Sequence, residues 1–475
     1  MTTAIQRLAQ LARFLGATDV PANRSAIDAV AAVAGAPAHD VSYLVIAMIR
    51  GAVPEPQAIK RFTRDWRTEG LAATIRAELR GRRFGRSVDL PVRIATETVI
   101  DVTETVASRF TTGIQRVARE TVARWSHADG RPLLVRWDRR RSAFVTLDAD
   151  QLSRIVPDWE APGRTPEIVI PFRGTFLLPE LAVDERRVSR LRTIARYGGG
   201  RSTAIGFDCI PITSAETAAA GMPGAFSKYL STLARFDAVA PISEAAAVEY
   251  RGWRRMLAGA GITGPRIEVV DLPFTSSGES DPDRAARIRD ELALGDAPIV
   301  LCVGSHEPRK NHLTVLHASE LAWRDGREFS LVLVGGNAWE TERFDRLIGY
   351  LRRRDRRVLT LSGVGDDVIW DLYDLASFTL FPSLNEGFGL PVVESLSHGT
   401  PVITSDFGSM RSLGEGKGAV LVDPADPHDL AARMIELLGR PEALAALRAE
   451  AQNLPDSDWE GYAVAIQSLT TIPAP

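Results

Sequence analysis

The stretch from Phe378 to Ser405, FTLFPSLNEGFGLPVVESLSHGTPVITS, constrains the fold of this 475-residue chain more than any other. Phe378 to Phe381 is a short apolar run of the length of a buried strand. The loop from Pro382 to Gly389 carries two glycines where the backbone must bend or approach something closely. Pro391 stands where a first helical residue would, and Gly399 where a helix would stop. A second apolar run, Pro401 to Thr404, completes a strand–loop–short helix–strand unit. The start of that helix faces the same edge as the loop, so its unpaired N–H groups are available to an anion.

The same alternation recurs along two successive lengths of chain. Strand-like runs occur at Val92–Val102, Leu133–Trp137, Ile168–Pro171, Thr203–Phe207, Ala238–Ile242 and Ile267–Val270, with helical stretches ending near Trp125, over Val183–Tyr197 and over Phe226–Leu233. A second series opens at Ile299–Val303 and continues through Phe329–Val334 and Val358–Gly363 into the stretch above, ending with a short strand at Ala419–Val422 and two helices. Asp271 to Asp283, polar and rich in Ser, Gly and Pro, reads as the linker between them. Residues 1 to about 92 read as helices, with Ile5, Leu8, Leu11 and Leu15 at helical spacing. The expected fold class is therefore α/β: two doubly wound, Rossmann-like domains facing one another across a cleft, plus an N-terminal helical extension. The expected boundaries are 1–92 for the helical module, 93–272 for the first α/β domain, 273–283 for the linker and 284–457 for the second domain. Ligands of such sheets bind outside the carboxyl ends of the strands.

Composition narrows the partners. With 57 basic and 60 acidic residues the formal charge is −3, and nothing global points to nucleic acid. Arginine clusters at 139–141 and at 352–354 with 356–357 read as solvated faces or as a basic patch for anionic lipid or an acidic acceptor. Cys209 and Cys302 both fall in apolar, strand-like runs and are expected to be buried and reduced, which points to the cytoplasm. No segment approaches 18 continuous apolar residues and the N-terminus lacks a signal-peptide core, so no transmembrane helix is expected.

Two carboxylates bracket the central loop, Glu386 within it and Glu394 a turn into the helix, with seven residues between them. Singly, each reads as a loop charge or as an acidic residue favoured near a helix start. As a string they resemble the E-x7-E signature of the retaining, nucleotide-sugar-dependent glycosyltransferases of family 4 (glycosyl transferases group 1), which have the two-domain GT-B fold. The match covers both glutamates, Gly387-Phe388-Gly389, and the later Gly-Thr-Pro-Val. A second loop, Gly304-Ser305-His306-Glu307-Pro308-Arg309-Lys310-Asn311, puts two cations between a strand end and a helix start, which suits a diphosphate. It resembles the family's donor-phosphate loop, with Lys310 at its lysine, Arg309 adjacent, and Ser305 where many relatives have arginine.

The resemblance implies more. Thr111-Thr112-Gly113-Ile114-Gln115-Arg116 looks like the TGIxR loop of the family's N-terminal domain, where Gly113 would approach donor or acceptor. The Phe207-Asp208 pair stands where many relatives carry His-Asp; Asp208 would contact acceptor or turn backbone, and Phe207 replaces the histidine. Ser243 reads equally as a helix N-cap and as a substrate contact. Val364 would lie beside the nucleotide base, and Gly304, Ser305, Lys310, Gly387, Phe388, Gly389, Leu390 and Glu394 would complete the donor site. Lys310 and Arg309 would stabilise the departing diphosphate, Glu386 would face the sugar hydroxyls, and Glu394 would accept from the ribose. Asp458-Trp459-Glu460 would open the final helix, 458–475, which crosses back onto the first domain.

The implied reaction is retaining transfer of a hexose from a nucleoside-diphosphate sugar, GDP-mannose first among them, to a glycan or lipid-linked saccharide in surface polysaccharide synthesis. No metal or other cofactor is expected, because the three Asp-x-Asp strings (Asp148/Asp150, Asp281/Asp283, Asp456/Asp458) sit in polar turns. Lipid-linked acceptors would bring such a protein to the inner face of the membrane without spanning it. The alternatives are a catalytically silent relative that binds a nucleotide sugar or partner, and an epimerase or phosphorylase on the same scaffold.

Overall fold

The computed structural model describes residues 3–471 apart from 81–89, 108–111, 126–130, 157–164, 276–280, 337–338, 340 and 456. Five helices come first: Ala4–Phe14, Ser25–Val33, His39–Arg50, Pro56–Glu69 and Leu71–Arg80. Thr3 and Gln6 form a capping box that starts the first, and Gly51 in the left-handed region ends the third. Every residue from Val41 to Ile49 is buried, as expected of a helix that is surrounded rather than laid on a surface. Its Tyr43 hydroxyl donates to the Pro171 carbonyl at 3.0 Å, and the buried Arg7 side chain donates to the carbonyls of Met48 and Ile49. The helices and the first sheet share one continuous apolar cluster, in which Leu8, Leu44 and Ile75 pack with Val99, Phe144 and Ile168.

The first sheet contains β1 (Val92–Ala95), β2 (Val99–Asp101), β3 (Leu133–Asp138), β4 (Ala143–Thr146), β5 (Ile168–Pro171), β6 (Thr175–Leu178), β7 (Arg201–Gly206), β8 (Ala238–Pro241) and β9 (Arg266–Ile267). Their order is β1-β5-β4-β3-β2-β6-β7-β8-β9. All pairs are parallel except those of β4, which runs antiparallel to β3 and β5. The β4 pairings are an antiparallel insertion in an otherwise parallel, Rossmann-like arrangement. The four residues between β3 and β4 are too few for a crossover and allow only a hairpin. The Asp138 carboxylate stabilises that turn by accepting from the backbone N–H groups of Arg140 and Arg141, so the 139–141 cluster is a hairpin tip. Arg139 and Arg141 pair there with Asp184 and Asp138.

The second sheet contains β10 (Ile299–Val303), β11 (Ser330–Val334), β12 (Val358–Leu361), β13 (Phe378–Phe381), β14 (Val402–Ser405) and β15 (Ala419–Val422), in the order β12-β11-β10-β13-β14-β15 and wholly parallel. In chain order this is 3-2-1-4-5-6, the doubly wound arrangement whose crevice opens between the first and fourth strands. That crevice lies between the carboxyl ends of β10 and β13.

The chain passes between the halves twice, after β9 and before the last helix, Trp459–Thr471. The Phe274 N–H donates to Ser457 Oγ at 2.8 Å, which sets the two crossings side by side. The last helix buries Trp459, Tyr462, Ala463 and Ile466 on one stripe, and Trp125 Nε1–H donates to the Ala463 carbonyl at 2.8 Å. Both cysteines are free and buried, but Cys209 caps a short helix, Ile210–Thr213, instead of lying in a strand; only Cys302 does, in β10. Among the described residues no helix is long and apolar enough to cross a membrane.

Candidate functional site

Two loops meet at the crevice of the second sheet. After β10 the chain makes a tight turn over Pro308–Lys310 and reverses at Asn311, whose left-handed backbone suits asparagine. Asn311 Nδ2 donates to the carbonyls of Pro382 and Pro424, fastening this loop to the one after β13. Leu384 N–H donates to the Arg309 carbonyl at 2.9 Å, so the two loops are joined through their backbones. Gly389, at φ +111°, provides the left-handed residue from which the Leu390–Ser397 helix starts, with Pro391 in its first turn.

Lys310, Arg309 and Glu386 converge there. Lys310 Nζ lies 2.6 Å from Glu386 Oε1, and Arg309 Nη1 lies 2.5 Å from Oε2. Ser383 Oγ is 2.6 Å from Glu386 Oε1, and Arg309 also pairs with Glu307 and donates to the Asn385 carbonyl. The Lys310 stem runs against Gly304, whose backbone at φ +152° disfavours a side chain, and its ammonium sits 4.8 Å from the Phe381 ring centre. Burial pushes the Glu386 carboxyl up, but the two cations outweigh it and hold the group down at about 2. Burial opposes the Arg309 charge, which the glutamates restore and raise. At Asp208 burial wins over the pull of Arg309, and its pKa rises to about 6. The sequence expected Glu386 against a ligand; here its carboxylate already binds the cations expected to hold a diphosphate.

The first half closes over this loop. Ser243 Oγ caps its own helix by accepting from the Ala246 N–H and donates to the Gly387 carbonyl across the cleft, so the capping reading and a cleft role both apply. Asn385 Nδ2 donates to Ser214 Oγ. A Cβ built on Gly387 would lie 2.3 Å from the Phe207 carbonyl oxygen and 3.1 Å from Asp208 Cβ. Gly387→Ala is therefore expected to push the halves apart at a cost of about 1–3 kcal/mol. The check is an increased radius of gyration in solution scattering, with an unchanged circular dichroism spectrum.

Gly113, the first residue of the Gly113–Trp125 helix, faces the start of the Leu390–Ser397 helix. A Cβ on Gly113 would lie 3.2 Å from Leu390 Cδ1. Two helix N-termini, one from each half, thus point into the cleft; Thr111 of the same loop lies outside the described residues. Phe388 is buried with Phe207 and Phe381, where an aromatic replacement for histidine packs readily. Ser305 lies beside Gly304, its carbonyl accepting from the Glu307 N–H. Val364 follows β12, separated from the crevice by β11, and packs toward Trp370 and Ile288.

Glu394 has partners that the sequence did not reveal. Arg116 Nη1 pairs closely with its Oε1, and the Tyr373 hydroxyl donates to its Oε2 at 2.9 Å. Arg116 also reaches Asp366 at 3.5 Å and lies 5.0 Å from the Trp370 ring centre. Burial pulls the Arg116 pKa down, and Glu394 with Asp366 more than reverses it. The only sequence signal for Arg116 was its place in the Gly113 loop; Tyr373 had none. Of the Asp-x-Asp strings, Asp148 and Asp281 cap helices, and Asp456 lies outside the described residues.

Residues 283–454 match the family described as glycosyl transferases group 1. That match is confined to the second α/β half of the chain, which is similar there to the group 1 glycosyltransferases, and the two-sheet architecture is the GT-B fold. The serotype-specific mannosyltransferase WbdA of Escherichia coli is 26% identical over 262 residues, 54% of this chain and 32% of that protein. The O-antigen chain mannosyltransferase B of Escherichia coli is 32% identical over 208 residues, 42% of this chain and 49% of that one. The chain thus spans about a third to a half of the length of these curated relatives. Among solved structures, Anabaena Alr3699/HepE in complex with UDP and glucose has a TM-score of 0.57 at 15% identity, covering 80% of this chain and 100% of that one. Sucrose-phosphate synthase (tll1590) from Thermosynechococcus elongatus has a TM-score of 0.56 at 18% identity, covering 79% and 98%. At such identities these two likenesses concern the fold alone.

Proposed function

We propose that this protein is a retaining glycosyltransferase that moves a hexose from a nucleoside-diphosphate sugar to a glycan or lipid-linked saccharide. The observation that carries the reading is the meeting of Lys310, Arg309 and Glu386 between the carboxyl ends of β10 and β13, beside a helix start. Departure of the diphosphate develops negative charge, and preorganised cations and helix N-termini stabilise such charge in a site closed to water. Lys310 and Arg309 take that role, so the reading routes neutralisation through side chains and not through a metal. Glu386 holds them in place and presents its carboxylate to the sugar hydroxyls, and Glu394 accepts from the ribose. Gly113 and Asp208 line the acceptor side. GDP-mannose is the proposed donor, supported by the names of the mannosyltransferase relatives. A lipid-linked acceptor would place the protein on the inner membrane face.

Thermal unfolding in the presence of GDP, UDP, ADP and their sugars tests the donor site. A ligand at about 100 times its dissociation constant is expected to stabilise the protein by about 2.7 kcal/mol. Stabilisation by one base alone identifies the donor, and no stabilisation by any of them refutes the assignment.

A further inference from the structure

Glu394 and Arg116 stand 278 residues apart in sequence and on opposite halves of the molecule. Arg116 lies one turn into the Gly113–Trp125 helix of the first half; Glu394 lies in the Leu390–Ser397 helix of the second. Their side chains are 13% and 7% exposed, so the pair is closed off from bulk water. Tyr373, fully buried, holds the other carboxylate oxygen from a third helix, Asp366–Leu375. A buried carboxylate without such partners would give up its charge or its orientation.

We propose that Arg116 is a positioning residue of the donor site, supplied by the opposite half, which fixes the Glu394 carboxylate for the two hydroxyls of the donor ribose. The inference rests on the donor-site reading above. An ionised carboxylate offers about four acceptor positions. Arg116 takes one on Oε1 and Tyr373 one on Oε2. Among the described residues this leaves one on each oxygen, the arrangement that two adjacent hydroxyls of a ribose require. Asp366 and the Trp370 ring steady the guanidinium from the far side, so it cannot turn away without losing them. Because Arg116 belongs to the first half, the ribose subsite is complete only when the halves are together, and nucleoside binding and closure favour one another.

The test compares binding of GDP, UDP and ADP, their 2′,3′-dideoxy counterparts and inorganic pyrophosphate to wild type, Arg116→Gln and Arg116→Lys by calorimetry. Wild type is expected to prefer the ribose form of its own nucleotide over the dideoxy form. Arg116→Gln is expected to weaken the ribose form about tenfold, the worth of a hydrogen bond to a charged group. It should leave the dideoxy form and pyrophosphate, which make no ribose contact, unchanged. Arg116→Lys keeps the charge without the planar fork and is expected to recover part of the preference. If Arg116→Gln prefers ribose as strongly as wild type, the positioning role is overturned while the donor reading stands. If it weakens pyrophosphate as much as the nucleotide, its role is general to the fold and the proposal falls. If wild type binds no nucleotide, both fall together.

Discussion

Lys310→Ala is expected to lower the rate of sugar transfer by about 10²–10³-fold, the usual loss when one preorganised donor to a developing anion is removed. Three losses add up at this position. The ammonium is gone, the Phe381 ring loses its cation, and Glu386 keeps Arg309 and Ser383 but loses its contact at 2.6 Å. The variant should remain folded, since Arg309 still answers the buried carboxylate. It should also lose most of the thermal stabilisation by nucleoside diphosphate. Steady-state transfer assays and melting curves on the same preparation check both; full transfer activity in the variant would remove Lys310 from the mechanism.

Arg187→Met is expected to cost about 3–5 kcal/mol of stability. Arg187 is fully buried and pairs with the equally buried Asp101 and Glu180, and with the half-exposed Glu104. Glu180 further accepts from the N–H groups of Glu104 and Thr105, and so holds the first turn of the helix Thr103–Ala107. Methionine fills much of the volume but leaves two carboxylates without their cation. Burial already raises the Glu180 carboxyl from 4.5 to about 7, with Arg187 opposing the rise and Asp101 adding to it. A pKa raised in the folded state contributes stability that is present below about 4.5 and lost as pH rises through about 7. Removing Arg187 raises that folded value further, so the deficit of the variant should be larger at pH 8 than at pH 5. Urea denaturation at the two pH values measures it, and a deficit independent of pH would mean that these carboxylates are not what the substitution exposes.

Much of this was legible in sequence because the signals were local. Pro391 and Gly399 bound a helix within a residue or two, and alternating apolar runs marked every strand of the second sheet. The loops bearing Lys310 and Glu386 were identifiable, but their mutual pairing was not, since it depends on β10 and β13 becoming neighbours through a crossover. β4 escaped notice because four residues, Ala143–Thr146, carry no period of their own; a hairpin turn sets their direction. Cys209 falls outside a strand because β7 ends at Gly206, and the apolar residues on either side of Asp208 lead into a short helix instead of prolonging the strand. Arg116 and Tyr373 found Glu394 only in three dimensions, where burial demands a partner for each charge.

The paired crossings at Phe274 and Ser457 have a mechanical meaning. A body hung from another at a single point can swivel in any direction, whereas one fastened at two neighbouring points turns like a door about the line joining them. With the last helix clamped against the first half through Trp125 and Ala463, that line is fixed to one side of the cleft. A swing about that line would carry Arg116 along one arc and return it to the same carboxylate, which would let a site be divided between two halves without losing its register.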